Sequence, residues 1–172
     1  MAYDPAHLQP GDILLMVGRP NLSLGGWLDA SIEWATDSPF DHAAIVGDGE
    51  IIEALWAVTA SPPDKYAENG WAFSVPTVTE EQKQAAIRWA VSHIGHRYGV
   101  AELLDDAGRD ILHLPLWPQA SPRAKARYTC SGLVAAAYAS ARVPLTWAPW
   151  PSPQDLACSP VLVGPRPWNP AA

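Results

Sequence analysis

The apolar positions of the chain fall into short runs that are separated by turn residues, a pattern typical of strands in a small sheet. Residues 13–17 form one such run after a Pro-Gly-Asp turn, and they predict a buried strand. Two further runs, at 43–47 and 50–56, lie on either side of Asp48-Gly49. Apolar runs around an Asp-Gly pair predict a β-hairpin with a two-residue loop.

The clearest helical pattern covers residues 79–94. Thr79 and Gln82 have the spacing of a capping box at its start, and Gly95 is predicted to end it. One apolar stripe is expected to face the core, and it consists of Ile87, Ala90, Val91 and Ile94.

Two more helices are predicted over 100–112 and 129–142, on either side of a basic, proline-rich loop at 115–127. The residues from 148 onward are rich in proline, so they are expected to follow the surface without long elements.

Composition limits the class of protein. The chain has 172 residues, of which 48% are hydrophobic and 17% charged, enough for one core, so one domain over 1–172 is expected. A net charge of −7 gives no electrostatic support for nucleic-acid binding. No apolar run approaches the roughly 20 residues of a membrane span, and the first ten residues do not resemble a signal peptide. Two cysteines do not make a disulfide framework.

Cys130 is the first candidate for chemistry, because it opens the predicted third helix. A thiol at a helix N-terminus is near the positive end of the helix dipole, which favours the nucleophilic thiolate. The amide of Cys130 is also placed to help hold an oxyanion. The alternative is a buried structural cysteine, which is the commoner role of a lone thiol. Cys158, in the proline-rich tail, is interpreted as structural or exposed.

His42, at the start of the first hairpin strand, is the candidate general base for such a thiolate. With Asp48-Gly49 as the loop, Glu53 pairs with Ala44 and lies on the same face as His42, whereas Asp41 lies on the other face. Glu53 is therefore the expected residue to orient His42, and its alternative is a solvated hairpin carboxylate. His93 and His96 lack further ligands at metal spacing, so no metal or other cofactor is expected.

These residues belong to motifs that carry a family resemblance. The motifs are Pro10-Gly11-Asp12-Ile13-Leu14-Leu15, Phe40-Asp41-His42-Ala43-Ala44-Ile45-Val46-Gly47, Ile52-Glu53-Ala54 and Tyr128-Thr129-Cys130-Ser131-Gly132-Leu133-Val134. In this set the sequence resembles the NlpC/P60-type papain-like cysteine hydrolases. Histidine precedes cysteine here, which resembles the circularly permuted branch, including the YiiX-like hydrolases and the lecithin:retinol acyltransferase group. The segments 94–99 and 152–157 resemble further motifs of these groups, Gly-x-x-Tyr and Pro-x-Asp-Leu.

The resemblance implies a papain-like α+β fold, in which a small antiparallel sheet packs on the helix that carries the cysteine. It implies Cys130 as nucleophile, His42 as general base and then acid, and Glu53 as the residue that orients it. Tyr98 is a candidate for the oxyanion site, although packing at a helix end is the favoured role for it. Thr129, and the residues between Gly99 and Cys130, depart from the usual NlpC/P60 pattern.

The leading interpretation is a cysteine hydrolase of amide bonds that forms an acyl-enzyme, with peptidoglycan peptides or small amides as the substrates that the resemblance suggests. One alternative is a thiol-dependent lipid acyltransferase or lipase, and another is a binding module without catalysis. Without a signal peptide, the expected location is the cytoplasm, or delivery by lysis, in a phage particle or through dedicated secretion.

Overall fold

The computed structural model describes residues 8–17, 39–55, 57–66, 69–96 and 129–168, which form an α+β fold around an antiparallel sheet. The strands are β1 (Ile13–Val17), β2 (Phe40–Val46), β3 (Ile51–Ala54), β4 (Val58–Ser61), β5 (Gly70–Ser74) and β6 (Val163–Trp168). The helices are α1 (Glu80–Ser92), α2 (Cys130–Ser140) and α3 (Pro153–Ala157), and a 3₁₀ turn covers Pro63–Tyr66. The helix predicted over 100–112 and the loop at 115–127 lie outside the described residues.

The six strands of the described sheet lie in the order β4-β3-β2-β1-β5-β6, and every neighbouring pair is antiparallel. Side chains alternate between the two faces of a strand. In β1, Ile13 and Leu15 therefore join the larger apolar cluster, to which α1 and α2 contribute, whereas Leu14 and Met16 join a smaller one on the other face. β2 lies next to β1 and is in contact with α2, which brings its side chains near the start of that helix.

The predicted hairpin is confirmed with its predicted register. Ala44 pairs with Glu53, and the amide of Gly47 donates to the carbonyl of Glu50 at 2.7 Å, which closes the loop over Asp48-Gly49. Gly49 has a φ of +81°, a conformation that L side chains rarely adopt. Glu53 and His42 therefore share one face of the sheet, as the alternation along β2 and β3 requires.

Helix α1 is confirmed together with its capping box. The side chain of Thr79 accepts from the amide of Gln82 at 3.2 Å, and the Gln82 side chain accepts from the amide of Thr79 at 3.0 Å. The predicted core stripe is wrong in its second half, since Val91 and Ile94 are 40% and 43% exposed. The buried side of the helix is centred on Ala86, Ile87 and Ala90. Val91 lies on the exposed side of the helix, and Ile94 lies beyond Ser92, the last helical residue.

The prediction for the proline-rich tail is also wrong in part. Ser152 and Asp155 form a second capping box at the start of α3, and residues 163–168 add the edge strand β6 to the sheet. Pro165 and Pro167 are unfavourable inside a sheet, because proline has no amide hydrogen to donate to a neighbouring strand. An edge strand accommodates them, because its outer amides have no partner to lose. Among the described residues, no helix is both long and apolar enough to cross a membrane.

Candidate active site

The N-terminus of α2 positions Cys130 through a local cap. The hydroxyl of Thr129 accepts the amide of Gly132 at 3.0 Å, and the helix begins between them at Cys130. A Cβ on Gly132 would lie 2.7 Å from that hydroxyl, so the cap requires glycine there. Cys130 is buried, with 3% of its surface exposed. The thiol therefore lies at the positive end of a helix and is shielded from solvent.

His42 lies between Cys130 and Glu53. Its Nε2 atom is 2.8 Å from Oε2 of Glu53, and its ring also interacts with the nearby thiol of Cys130. Because Nε2 is occupied by the carboxylate, Nδ1 is the ring nitrogen left for the sulfur. The three residues that the sequence selected are thus brought together in one chain of contacts, from helix to sheet.

Glu53 has two further partners that the sequence analysis did not identify. Nζ of Lys65 donates to Oε1 of Glu53 at 2.6 Å, and the hydroxyl of Tyr66 donates to Oε2, also at 2.6 Å. Both donors belong to the 3₁₀ turn after β4. The region around it is irregular in sequence, with Pro62-Pro63 as its clearest feature, so periodicity could not predict which of its side chains reach the sheet.

Burial opposes a positive charge on His42, but the hydrogen bond and the charge of Cys130, supported by Glu53, outweigh it and raise the pKa of His42 to about 10. Burial likewise opposes a thiolate. The hydrogen bond and charge of His42, together with the amides of Ala43 and Ser131, nevertheless hold the pKa of Cys130 below its usual value. Both shifts favour a thiolate–imidazolium pair over the neutral thiol and imidazole.

Glu53 remains ionised beside this pair. Its burial would raise its pKa, but hydrogen bonds from His42, Lys65, Ser61 and Tyr66 outweigh that effect and lower the pKa of Glu53 to about 2. For Tyr66, burial and the hydrogen bond to Glu53 both raise the pKa, so the hydroxyl stays protonated and remains a donor.

The segment before α3 is in contact with the first turn of α2. The hydroxyl of Ser131 donates to the carbonyl of Pro151 at 2.5 Å, which ties this segment to the first turn of α2. Trp147 and Trp150, on the same segment, are 90% and 73% exposed. Cys158 is an exposed free thiol, which agrees with one of the two roles predicted for it.

The remaining candidates are Tyr98, His93 and His96. Tyr98 lies outside the described residues. His93 stacks on Trp89 with ring centroids 3.8 Å apart, and the rings of His93 and His96 are 4.8 Å apart. These rings thus pack on one another at the end of α1. Within the described part of the chain, no group of three or more His, Cys, Asp or Glu side chains is arranged to hold a metal ion.

Comparison with solved structures identifies a similar fold. The structure resembles the crystal structure of the metalloprotein YiiX from Escherichia coli O157:H7, with a TM-score of 0.53 and 20% sequence identity over 90% of this chain and 94% of that chain. No protein-family model matches the sequence, and no curated protein matches it. At this level of identity the likeness concerns the fold, and the α+β fold of this chain is of the YiiX kind.

Proposed function

We propose that the protein is a cysteine hydrolase that cleaves amide bonds through a thioester acyl-enzyme. The observation that carries this proposal is the buried chain of contacts from Cys130 through His42 to Glu53, at the N-terminus of α2. The YiiX-like fold agrees with the family resemblance of the sequence motifs, and the relation to permuted NlpC/P60 hydrolases is part of the proposal.

In this mechanism the thiolate of Cys130 attacks the carbonyl carbon of the substrate, and the carbonyl oxygen becomes an oxyanion. Amides of the first helical turn have no intrahelical acceptor, and the amide of Cys130 is our candidate donor to that oxyanion. The imidazolium of His42 then gives its proton to the leaving nitrogen as the C–N bond breaks. This step releases an amine and leaves a thioester on the sulfur.

Hydrolysis of the thioester reverses these roles. Neutral His42 takes a proton from a water molecule whose oxygen attacks the thioester carbonyl, and the C–S bond breaks to return the thiolate. The imidazolium is regenerated in the same step, so the resting ion pair is restored. Glu53 accepts from Nε2 throughout, which keeps Nδ1 directed at the sulfur and stabilises the imidazolium.

A resident metal ion does not fit this site, although the structural neighbour is described as a metalloprotein. Cys130 and Nδ1 of His42 supply two donors, whereas a protein zinc site uses three or four. Nε2 of His42 is bound to Glu53, and both oxygens of Glu53 accept hydrogen bonds. The proposed reaction therefore contains no metal step.

The test measures the rate of Cys130 alkylation by iodoacetamide against pH, in a Cys158→Ser background that removes the exposed thiol. We expect rapid alkylation near pH 6, and we expect His42→Ala to restore the ordinary thiol profile near pH 8.5. Hydrolysis is then assayed on peptidoglycan stem peptides and simple acyl amides, with Cys130→Ser as the inactive variant. An ordinary thiol profile in the parent protein, unchanged by His42→Ala, would contradict the proposal.

A further inference from the structure

Glu53 is an ionised side chain in an environment that opposes ionisation. It is 0% exposed, on a four-residue strand whose other side chains are apolar. A buried carboxylate without sufficient partners takes up a proton, and a protonated Glu53 would give no charge stabilisation to His42. The site therefore depends on whatever keeps this carboxylate charged and directed at the histidine.

The 3₁₀ turn supplies that support through two consecutive residues. Lys65 occupies Oε1 of Glu53 at 2.6 Å, while Tyr66 donates to Oε2 at 2.6 Å, the same oxygen that lies 2.8 Å from Nε2 of His42. Both carboxylate oxygens are thus engaged. Rotation of the Glu53 side chain away from the histidine would break two charge-assisted hydrogen bonds at once.

The turn itself is fixed to the sheet. The backbone amide of Asn69 donates to the carbonyl of Tyr66 at 3.3 Å, and the side-chain amide of Asn69 donates to the carbonyl of Val17 in β1 at 2.8 Å. The ring of Tyr66 lies 5.8 Å from the ring of His42, and Nζ of Lys65 lies 4.9 Å from the centroid of the Tyr66 ring. The two donors therefore support each other as well as the carboxylate.

We propose that Lys65 and Tyr66 are positioning residues, which hold the Glu53 carboxylate against the histidine of the site and keep it ionised in acid. The assignment rests on the proposed function, because it acts through the thiolate–imidazolium pair described there. Lys65 supplies the compensating charge, while Tyr66 supplies a neutral donor that fixes the orientation of the carboxylate.

Several titratable groups act on Glu53 or on its partners, and an experiment must distinguish the effect of the turn from theirs. His42 faces it from β2, Lys65 and Tyr66 face it from the turn, and Cys130 lies beyond His42 on α2. Ser61 of β4, which accepts a hydrogen bond from Nζ of Lys65 at 3.5 Å, also lowers the pKa of Glu53, and Asp41 of β2 acts on Tyr66 electrostatically. When Glu53 is protonated, the imidazolium loses its acceptor and its proton returns to the thiolate. We refer to Lys65 and Tyr66 together as the clamp on Glu53. Loss of the clamp should therefore raise the pH at which thiol reactivity falls off in acid, which is the acid limb of its pH profile.

The experiment compares acid limbs of Cys130 alkylation by iodoacetamide in the Cys158→Ser background. We expect Lys65→Met to move the limb up by about one pH unit, so that the rate on the limb falls about tenfold. Tyr66→Phe should also move it up, while Lys65→Arg keeps the charge and should leave it within about 0.2 unit of the parent. Lys83→Met is the matched control. Lys83 pairs with Glu80 on α1, so this substitution removes the same charge at a position away from the site.

A thermal melt of each variant separates unfolding from loss of positioning, and Tyr66→Phe and Lys65→Arg keep the test decisive if Lys65→Met does not fold. The proposal is overturned if the Lys65→Met and Tyr66→Phe limbs coincide with the parent limb, or if Lys83→Met shifts as much as they do. If the limbs shift as expected but no amide is hydrolysed, the clamp stands and the hydrolase proposal fails. An ordinary thiol profile in the parent protein overturns both.

Discussion

The charge of Glu53 gives a prediction for stability that does not depend on any substrate. Its pKa of about 2 in the folded protein lies below the value of 4.5 for an unperturbed glutamate. A group with a lowered folded pKa stabilises the fold above its unfolded pKa, and this contribution is lost as the pH falls toward its folded pKa. For Glu53 the window is therefore pH 4.5 to about 2.

The difference between these two pKa values corresponds to roughly 3 kcal/mol of stability at neutral pH, of which about 2 kcal/mol disappears by pH 3. The comparison variant is Glu53→Gln, which keeps the shape and cannot titrate. We expect it to be about 3–5 kcal/mol less stable at pH 7, since it leaves two cationic partners without their carboxylate.

The assay is urea unfolding at pH 7, 5, 4 and 3. The quantity compared is the free energy of unfolding of the parent minus that of the variant. This difference cancels the titration of the other carboxylates, which both proteins share. It should shrink by about 2 kcal/mol between pH 7 and pH 3. A difference that stays constant within about 0.5 kcal/mol would refute the reasoning, because Glu53 would then titrate alike in the folded and unfolded states.

Further predictions concern the thiol and its helix. Amide hydrolysis should fall on an alkaline limb near pH 10, because His42 loses the proton that it gives to the leaving nitrogen, and a pH–rate profile checks this. Gly132→Ala should displace the Thr129 cap and cost about 1 kcal/mol in urea unfolding, although alanine is otherwise the better helix former. Tyr138→Phe removes a buried hydrogen bond to the carbonyl of Gly11 and should cost about 1–3 kcal/mol in the same assay, with unchanged alkylation of the thiol.

The hairpin register was predictable because its determinants are local. An Asp-Gly pair between two apolar runs fixes the loop length, and the loop length fixes which residues of β2 and β3 face each other. The pairing of Ala44 with Glu53, and with it the contact between His42 and Glu53, follows from that count alone. The helix predicted over 129–142 also depends on a local determinant, since the Thr129 side chain caps α2 where it begins at Cys130.

The support of Glu53 and the edge strand β6 were not predictable in this way. Lys65 and Tyr66 reach the carboxylate because β4 returns along β3 and the following turn folds back over it, an arrangement set by tertiary contacts. β6 pairs with β5 across about 90 residues of sequence, and its alternating prolines hide the pattern of a strand. The exposure of Val91 has the same origin, since the width of a buried stripe depends on what packs against the helix.

The distribution of charge at the site links its architecture to its chemistry. In the proposed thiolate–imidazolium state, four charges alternate along one line: negative on Cys130, positive on His42, negative on Glu53 and positive on Lys65. They sum to zero. The first three come from the start of α2 and from two strands, whereas the fourth lies on a turn that is 36% exposed at the lysine side chain. A neutral sum allows the cluster to be buried, and an alternating order lets each charge stabilise its neighbours. Because the lysine is the most exposed member of this line, at 36% against 14% for His42, substitution there should alter the charge state of the thiol without altering the helix that carries it.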